Sequence, residues 1–133
     1  MAKARNIDGE PLAAIECMDG RPGAAVRKRA RKKHGINRVD SISAPGPVNQ
    51  IADGIIPDWI KQRLGIARHH GARRVWIVAH DDCAGNPVDK RTQKQQVGSA
   101  VRTVRQEYPD MQVRGFWSRR KKSGKGWKLK RVK

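Results

Sequence analysis

Acidic residues and cysteine are both scarce in this chain. Its 133 residues hold 12 Asp and Glu against 30 Lys and Arg, and only two Cys. The acid deficit leaves a formal charge of +18 and a pI near 11.1. Such a surface attracts polyanions, whether nucleic acid, acidic membrane or acidic protein, and it does not specify a fold. No apolar run approaches the length of a membrane span. The first residues, Met1 to Gly9, contain no apolar h-region, so no secretory signal is expected. Two cysteines without an export signal predict a cytoplasmic chain with free or metal-bound thiols. The length suits a single domain over 1–133.

The two cysteines are placed informatively. One lies in Cys17-Met18-Asp19-Gly20-Arg21 and the other in His80-Asp81-Asp82-Cys83. A Cys17–Cys83 disulfide is the simplest alternative, but it leaves Asp19, Arg21 and His80 without a purpose. Together the motifs offer two thiolates and one imidazole, a three-ligand set that leaves a fourth position open for water. Zinc, borderline-soft, suits those ligands best. No further cysteine exists to close the site as a structural one.

The pattern along the chain indicates an α/β fold. Leu12 to Glu16 reads as a buried strand running into Cys17. Pro22-Gly23 breaks it, and Ala24 to His34 reads as a helix with Val26 and Ala30 on one face and Gly35 as its stop. Ile36 to Ile42 reads as a second strand and Ser43 to Pro47 as a loop. Pro57 starts a helix with Ile60, Leu64 and Ala67 as its apolar stripe, and Gly71 ends it. Val75 to Ala79 is continuously apolar, as in a strand covered on both faces, and leads into His80. Lys90 to Tyr108 is a third helix, and Met111 to Trp117 is a strand. A turn at Ser123-Gly124 then leads to an antiparallel edge strand around Trp127 to Leu129. The expected result is a mainly parallel sheet flanked by helices, with a C-terminal antiparallel edge strand and a basic hairpin over 113–133.

Both motifs begin where a strand ends. Open parallel sheets bind ligands at the carboxyl ends of their strands, and neighbouring strands lie about 5 Å apart. If the Cys17 and His80 strands are neighbours, their side chains can reach one ion. Two thiolates cancel the formal charge of the metal, so a further group must stabilise hydroxide. Asp19 can accept a hydrogen bond from it, and Arg21 can fix Asp19 through a bidentate pair. If that pair breaks, Asp19 can occupy the fourth metal position. The same residues therefore allow an open and a blocked form.

These motifs resemble the C-x-D-x-R and H-x-x-C motifs of β-class carbonic anhydrases. The strand before Cys17, the helix before the Val75 strand and the strand pair around Gly115 and Trp127 fall where that family has them. The resemblance implies a zinc-dependent lyase in which zinc-bound hydroxide hydrates carbon dioxide reversibly to bicarbonate. It implies Cys17, His80 and Cys83 as zinc ligands, Asp19 and Arg21 as the catalytic gate, and a homodimer. Relatives also hydrolyse carbonyl sulfide or carbon disulfide. The chain departs from the family in several places. Ala84 precedes Gly85 where glycine usually follows the cysteine directly. Ser41 to Gly46 replaces an Arg-Asn-Ala-Gly-like stretch, Asp81 and Asp82 stand where small polar residues are usual, and the N-terminal arm is absent or short.

The competing reading is a non-catalytic zinc-containing basic protein that binds nucleic acid or another polyanion. The charge favours it, with Arg27 to Lys33 and Arg119 to Lys133 as contacts, and such binding would be salt-sensitive and independent of sequence. The Asp19–Arg21 pair favours an enzyme, since a structural zinc site does not need it. His34, His69 and His70 are expected to be structural or solvated near helix ends. Trp59, Trp76, Trp117 and Trp127 are expected in the core or at a dimer interface.

Overall fold

The computed structural model describes residues 9–51 and 54–133. The readings made on Met1 to Asp8, including the reduced N-terminal arm, lie outside them. Among the described residues nine elements follow in the order β1 (Leu12–Cys17), α1 (Gly23–His34), β2 (Val39–Ala44), α2 (Val48–Ile51), α3 (Asp58–His69), β3 (Arg74–His80), α4 (Lys90–Glu107), β4 (Gln112–Arg120) and β5 (Trp127–Arg131). The strands form one sheet in the order β2-β1-β3-β4-β5. All neighbours are parallel except β4 and β5, which are antiparallel.

Side-chain alternation along the strands builds two cores. Ala13, Ile15, Val75, Ile77, Val113 and Trp117 face the helices α2, α3 and α4, where Ile51, Leu64, Val97 and Val101 meet them. Leu12, Trp76, Val78, Phe116 and Leu129 face the opposite way and pack on Val26 and Ala30 of α1. The continuous apolar run in β3 reflects this burial on both sides. At Gly115 the sheet and α4 come very close: a Cβ there would collide with Val97 Cγ1.

Several boundaries differ from the sequence reading. β2 starts at Val39, later than Ile36, because the Ile36 amide donates to the Ala30 carbonyl and closes α1. Gly35 makes this possible with a φ of 66°. β2 also runs on through Ser43 and Ala44, which pair with Glu16 and Cys17. The short helix α2 has no counterpart in the sequence reading, since a single turn is too short to display a helical period. β4 extends to Arg120 because β5 pairs with its last residues.

The strand order changes direction between β1 and β3: the chain leaves β1 toward β2 on one side, then returns to β3 on the other. The connecting helices α1 and α3 accordingly lie on opposite faces. Such a switch point opens a crevice at the carboxyl ends of the two strands. Cys17 and His80 are the last residues of those strands.

Candidate metal centre

Neighbouring strands bring the two motifs together. A ligating atom from each of Cys17, His80 and Cys83 lies within 4.8 Å of the others. The two Sγ atoms are 3.8 Å apart and both cysteines are free, so the disulfide alternative is not realised. Two thiolates each about 2.3 Å from one ion at a tetrahedral angle stand about 3.8 Å apart, so the observed spacing suits a shared metal.

His80 supplies the clearest indication. Its ring is almost fully buried. Nδ1 lies 2.7 Å from the Asp81 carbonyl oxygen, which can only accept, so Nδ1 carries the proton. Nε2 is buried with no hydrogen-bond partner among the described residues. A buried imidazole nitrogen left empty in this way is costly unless something binds its lone pair. The nearest acid, Asp19 Oδ2, is 4.0 Å away, too far for a hydrogen bond. The donor set and the empty Nε2 therefore fit a zinc ion.

Backbone amides surround the Cys17 sulfur. The Gly46 N–H donates to Cys17 Sγ at 3.4 Å and the Asp19 N–H at 3.5 Å. Burial and the neighbouring Cys17 push the Cys83 thiol up when no metal compensates.

Asp19 does not reach over the site freely. Arg21 Nε donates to Oδ1 at 3.1 Å and to Oδ2 at 2.9 Å, Nη2 donates to Oδ2 at 2.7 Å, and the Arg21 amide donates to Oδ1 at 3.0 Å. These bonds hold the Asp19 carboxyl down to about 2 and raise the guanidinium further above its already high value.

Three neighbours were not legible as site residues. Asp82 clamps the other side of Arg21, accepting from Nη1 at its carboxylate (3.2 Å) and from Nη2 at its carbonyl (3.1 Å). It does so from a left-handed backbone, φ 57°. Trp127 lies under the Arg21 guanidinium at 5.2 Å and edge-on to His80 at 5.9 Å. Arg120 approaches Asp81 and Asp82 at 3.7 and 3.8 Å. The hairpin between β4 and β5 explains these contacts, because it pairs Trp127, the first residue of β5, with Arg120, the last of β4, at the carboxyl end of the parallel strands. Position in the sequence could not reveal that. Trp76 and Trp117 are core residues, as expected. His70 pairs with Asp40 at 2.7 Å and His34 packs edge-on against Trp76, both away from the site.

The cavity above these groups has a volume of about 650 Å³. Met18, Pro45, Pro87 and Val88 give it apolar walls beside Asp19 and Arg21.

A family model described as "Putative carbonic anhydrase" matches residues 8–132. The chain belongs to that family. Among solved structures, the β-carbonic anhydrase isoform I of Trichomonas vaginalis is similar to it, with a TM-score of 0.61 at 15% identity, over 98% of this chain and 84% of that one. At that identity the likeness is one of fold. No curated protein matches the chain significantly. The departure noted after Cys83 has a local explanation. In this carbonic-anhydrase-like chain Ala84 points outward, and Gly85 makes the close contact, backbone to backbone with Pro45 and Gly46.

Proposed function

We propose that this chain is a zinc-dependent lyase that hydrates carbon dioxide reversibly to bicarbonate, with zinc held by Cys17, His80 and Cys83. The observation that carries this reading is the pairing of an empty, buried His80 Nε2 with an Asp19 carboxylate tied to Arg21 beside it. Zinc held there supplies the Lewis acidity that makes water nucleophilic near neutral pH.

The remaining work falls to the chain. Asp19 Oδ2, 4.0 Å from His80 Nε2, is proposed to accept a hydrogen bond from the attacking water and so to aim its lone pair at the substrate. Arg21 keeps both Asp19 oxygens engaged, which prevents the carboxylate from swinging into the ligand cluster. Asp82 and Trp127 hold Arg21 in turn. The apolar walls from Met18 and Val88 suit a small, linear, uncharged electrophile.

The chain is further proposed to act as a homodimer. Met18, Ile55 and Val88 are large apolar side chains left exposed, and Met18 and Val88 lie at the mouth of the cavity. Covering them would also exclude water from the site.

Stopped-flow carbon dioxide hydration by zinc-loaded protein, with Asp19→Asn as control, tests the activity. Equal rates for the two proteins would overturn it. Carbonyl sulfide and carbon disulfide are the next substrates in that event, since each offers a similar linear electrophile.

A further inference from the structure

The basic residues are not spread evenly. The α1 segment Gly23–His34 contains six Lys and Arg, the 113–133 hairpin contains ten, and neither contains an acid. Folding places these two segments side by side. Leu129 packs into the same core as Val26 and Ala30, and Arg29 Nη1 donates to the Leu129 carbonyl at 3.2 Å. Between them lies a groove of about 630 Å³. Lys28, Lys32 and Lys33 line it from the helix, Lys121 and Lys128 from the hairpin, and Trp127 forms part of its lining.

Some surface cations elsewhere find acids, as in Lys61–Glu107, Arg68–Asp110 and Arg74–Glu10. In the groove, no lysine pairs with a carboxylate among the described residues. Across the sheet edge the crowding continues. Lys90 and Lys94 stand over Trp117, whose strand partner is Lys130. Arg119, Lys128, Lys90 and Lys94 together push the Lys130 ammonium down. Like charges packed without counter-charge raise the energy of the folded chain, and a bound polyanion removes that repulsion.

We propose that the groove between α1 and β5 binds the phosphate backbone of single-stranded nucleic acid without reading its sequence. Three features favour this partner. The cations lining both walls are mainly lysines, compact point charges suited to phosphate and lacking the planar fork that reads base edges. No Asn or Gln lines the groove, so base-edge hydrogen bonding is not provided for. Trp127 supplies an aromatic surface on which an unstacked base can lie. An acidic membrane fits less well, because the exposed large apolar side chains Met18, Ile55, Ile66 and Val88 all lie outside the groove and no wedge enters lipid from it. This inference does not rest on the proposed catalysis, although Trp127 also lies against Arg21.

The test is fluorescence anisotropy of a labelled oligothymidine over a salt series, using the full chain. Log affinity should fall linearly with log salt, with a slope of about −0.7 for each phosphate neutralised. The variant Lys28→Gln, Lys32→Gln, Lys121→Gln, Lys128→Gln should bind about tenfold or more weakly and give a flatter slope. A control that removes the same charge from Lys61, Arg63, Arg68 and Arg73 should be affected far less. Equal weakening of both variants would reduce the effect to diffuse charge and overturn the proposal. Tighter binding to duplex, to polyglutamate or to phosphatidylserine vesicles than to the oligonucleotide would also overturn it. Acetylation footprinting of the wild-type chain does not depend on the variants folding. The oligonucleotide should protect Lys28, Lys32 and Lys128 and leave Lys61 reactive, and the reverse pattern would overturn the assignment.

Discussion

Gly46 and Gly85 meet backbone to backbone beneath the candidate metal centre. A Cβ on Gly85 would lie 2.6 Å from the Pro45 carbonyl carbon and 2.7 Å from Gly46 N. That contact sets the Cys83 loop against the loop after β2, and the Gly46 amide donates to Cys17 Sγ. Gly85→Ala must therefore push the loops apart, at a cost of about 1–3 kcal/mol. The expected outcome is a lower unfolding midpoint and about tenfold weaker zinc affinity against a chromophoric chelator. Unchanged zinc affinity would show that the loop contact does not position the ligands.

Metal content gives a second prediction. Reduced protein should take up one zinc per chain, measured by elemental analysis, and Cys83→Ser should lose it. Because the ligands come from the ends of β1 and β3 and the loop beyond, zinc removal should also lower thermal stability. A chain that takes up no zinc on reconstitution would rule out the ligand set.

The clamp on Arg21 can be separated from the gate itself. Asp82→Asn keeps a residue type that tolerates the positive φ and keeps the carbonyl that accepts from Arg21. It removes the charged contact to Nη1 and, with it, the longer attraction to Arg120 at 3.8 Å. Zinc content should not change, and the carbon dioxide hydration rate should fall a few-fold. Asp19→Asn should reduce the rate far more, about a hundredfold. A loss of equal size in both variants would place Asp82 in the chemistry itself, and no loss for Asp82→Asn would remove it from the mechanism.

The N-terminus of α4 provides a pH test away from the metal. Asp89 accepts from the Thr92 amide at 2.7 Å, and hydrogen bonding from the Thr92 side chain, with that from the amide, lowers its pKa below the ordinary 3.8. A depressed folded pKa stabilises the fold above the unfolded value, and the benefit is lost as pH falls through the folded value. Asp89→Ala should therefore lower the melting temperature by a few degrees at neutral pH. The gap to wild type should narrow in acid below about pH 4. A gap independent of pH would show that the carboxylate charge plays no part.

Assembly gives the last prediction. Light scattering at micromolar concentration should give the mass of a dimer, favoured by added salt because the chain carries +18. Met18→Ser with Val88→Ser should shift the population toward monomer. A monomer at every salt concentration would exclude the assembly.

The candidate metal cluster was legible because its chemistry is local. Cys17, His80 and Cys83 are rare residue types standing directly after apolar strand signals, and the spacing of Asp19 and Arg21 brings a carboxylate and a guanidinium within reach of each other on any turn. Strands β1 and β3 were legible because a run of apolar residues must be buried on the faces it presents. Boundaries were less so, since the start of β2 depends on where the Ile36 amide finds its acceptor.

What only tertiary structure decided is which distant residues surround those ligands. Trp127 lies more than forty positions beyond Cys83 in the sequence, and it reaches His80 because the hairpin after β4 starts β5 opposite Arg120, at the end of the sheet where β3 delivers His80. The contact between Gly46 and Gly85 depends on two loops from different strands arriving at one place. The lysine groove exists because the Leu129 side chain is buried against α1, which draws two like-charged segments together despite their repulsion. In each case a backbone pairing or an apolar burial fixed the geometry, and the polar or charged side chains were carried into contact by it. The sequence by itself determined which chemistry the chain can offer; the sheet order and the packing on α1 decided which of those groups meet.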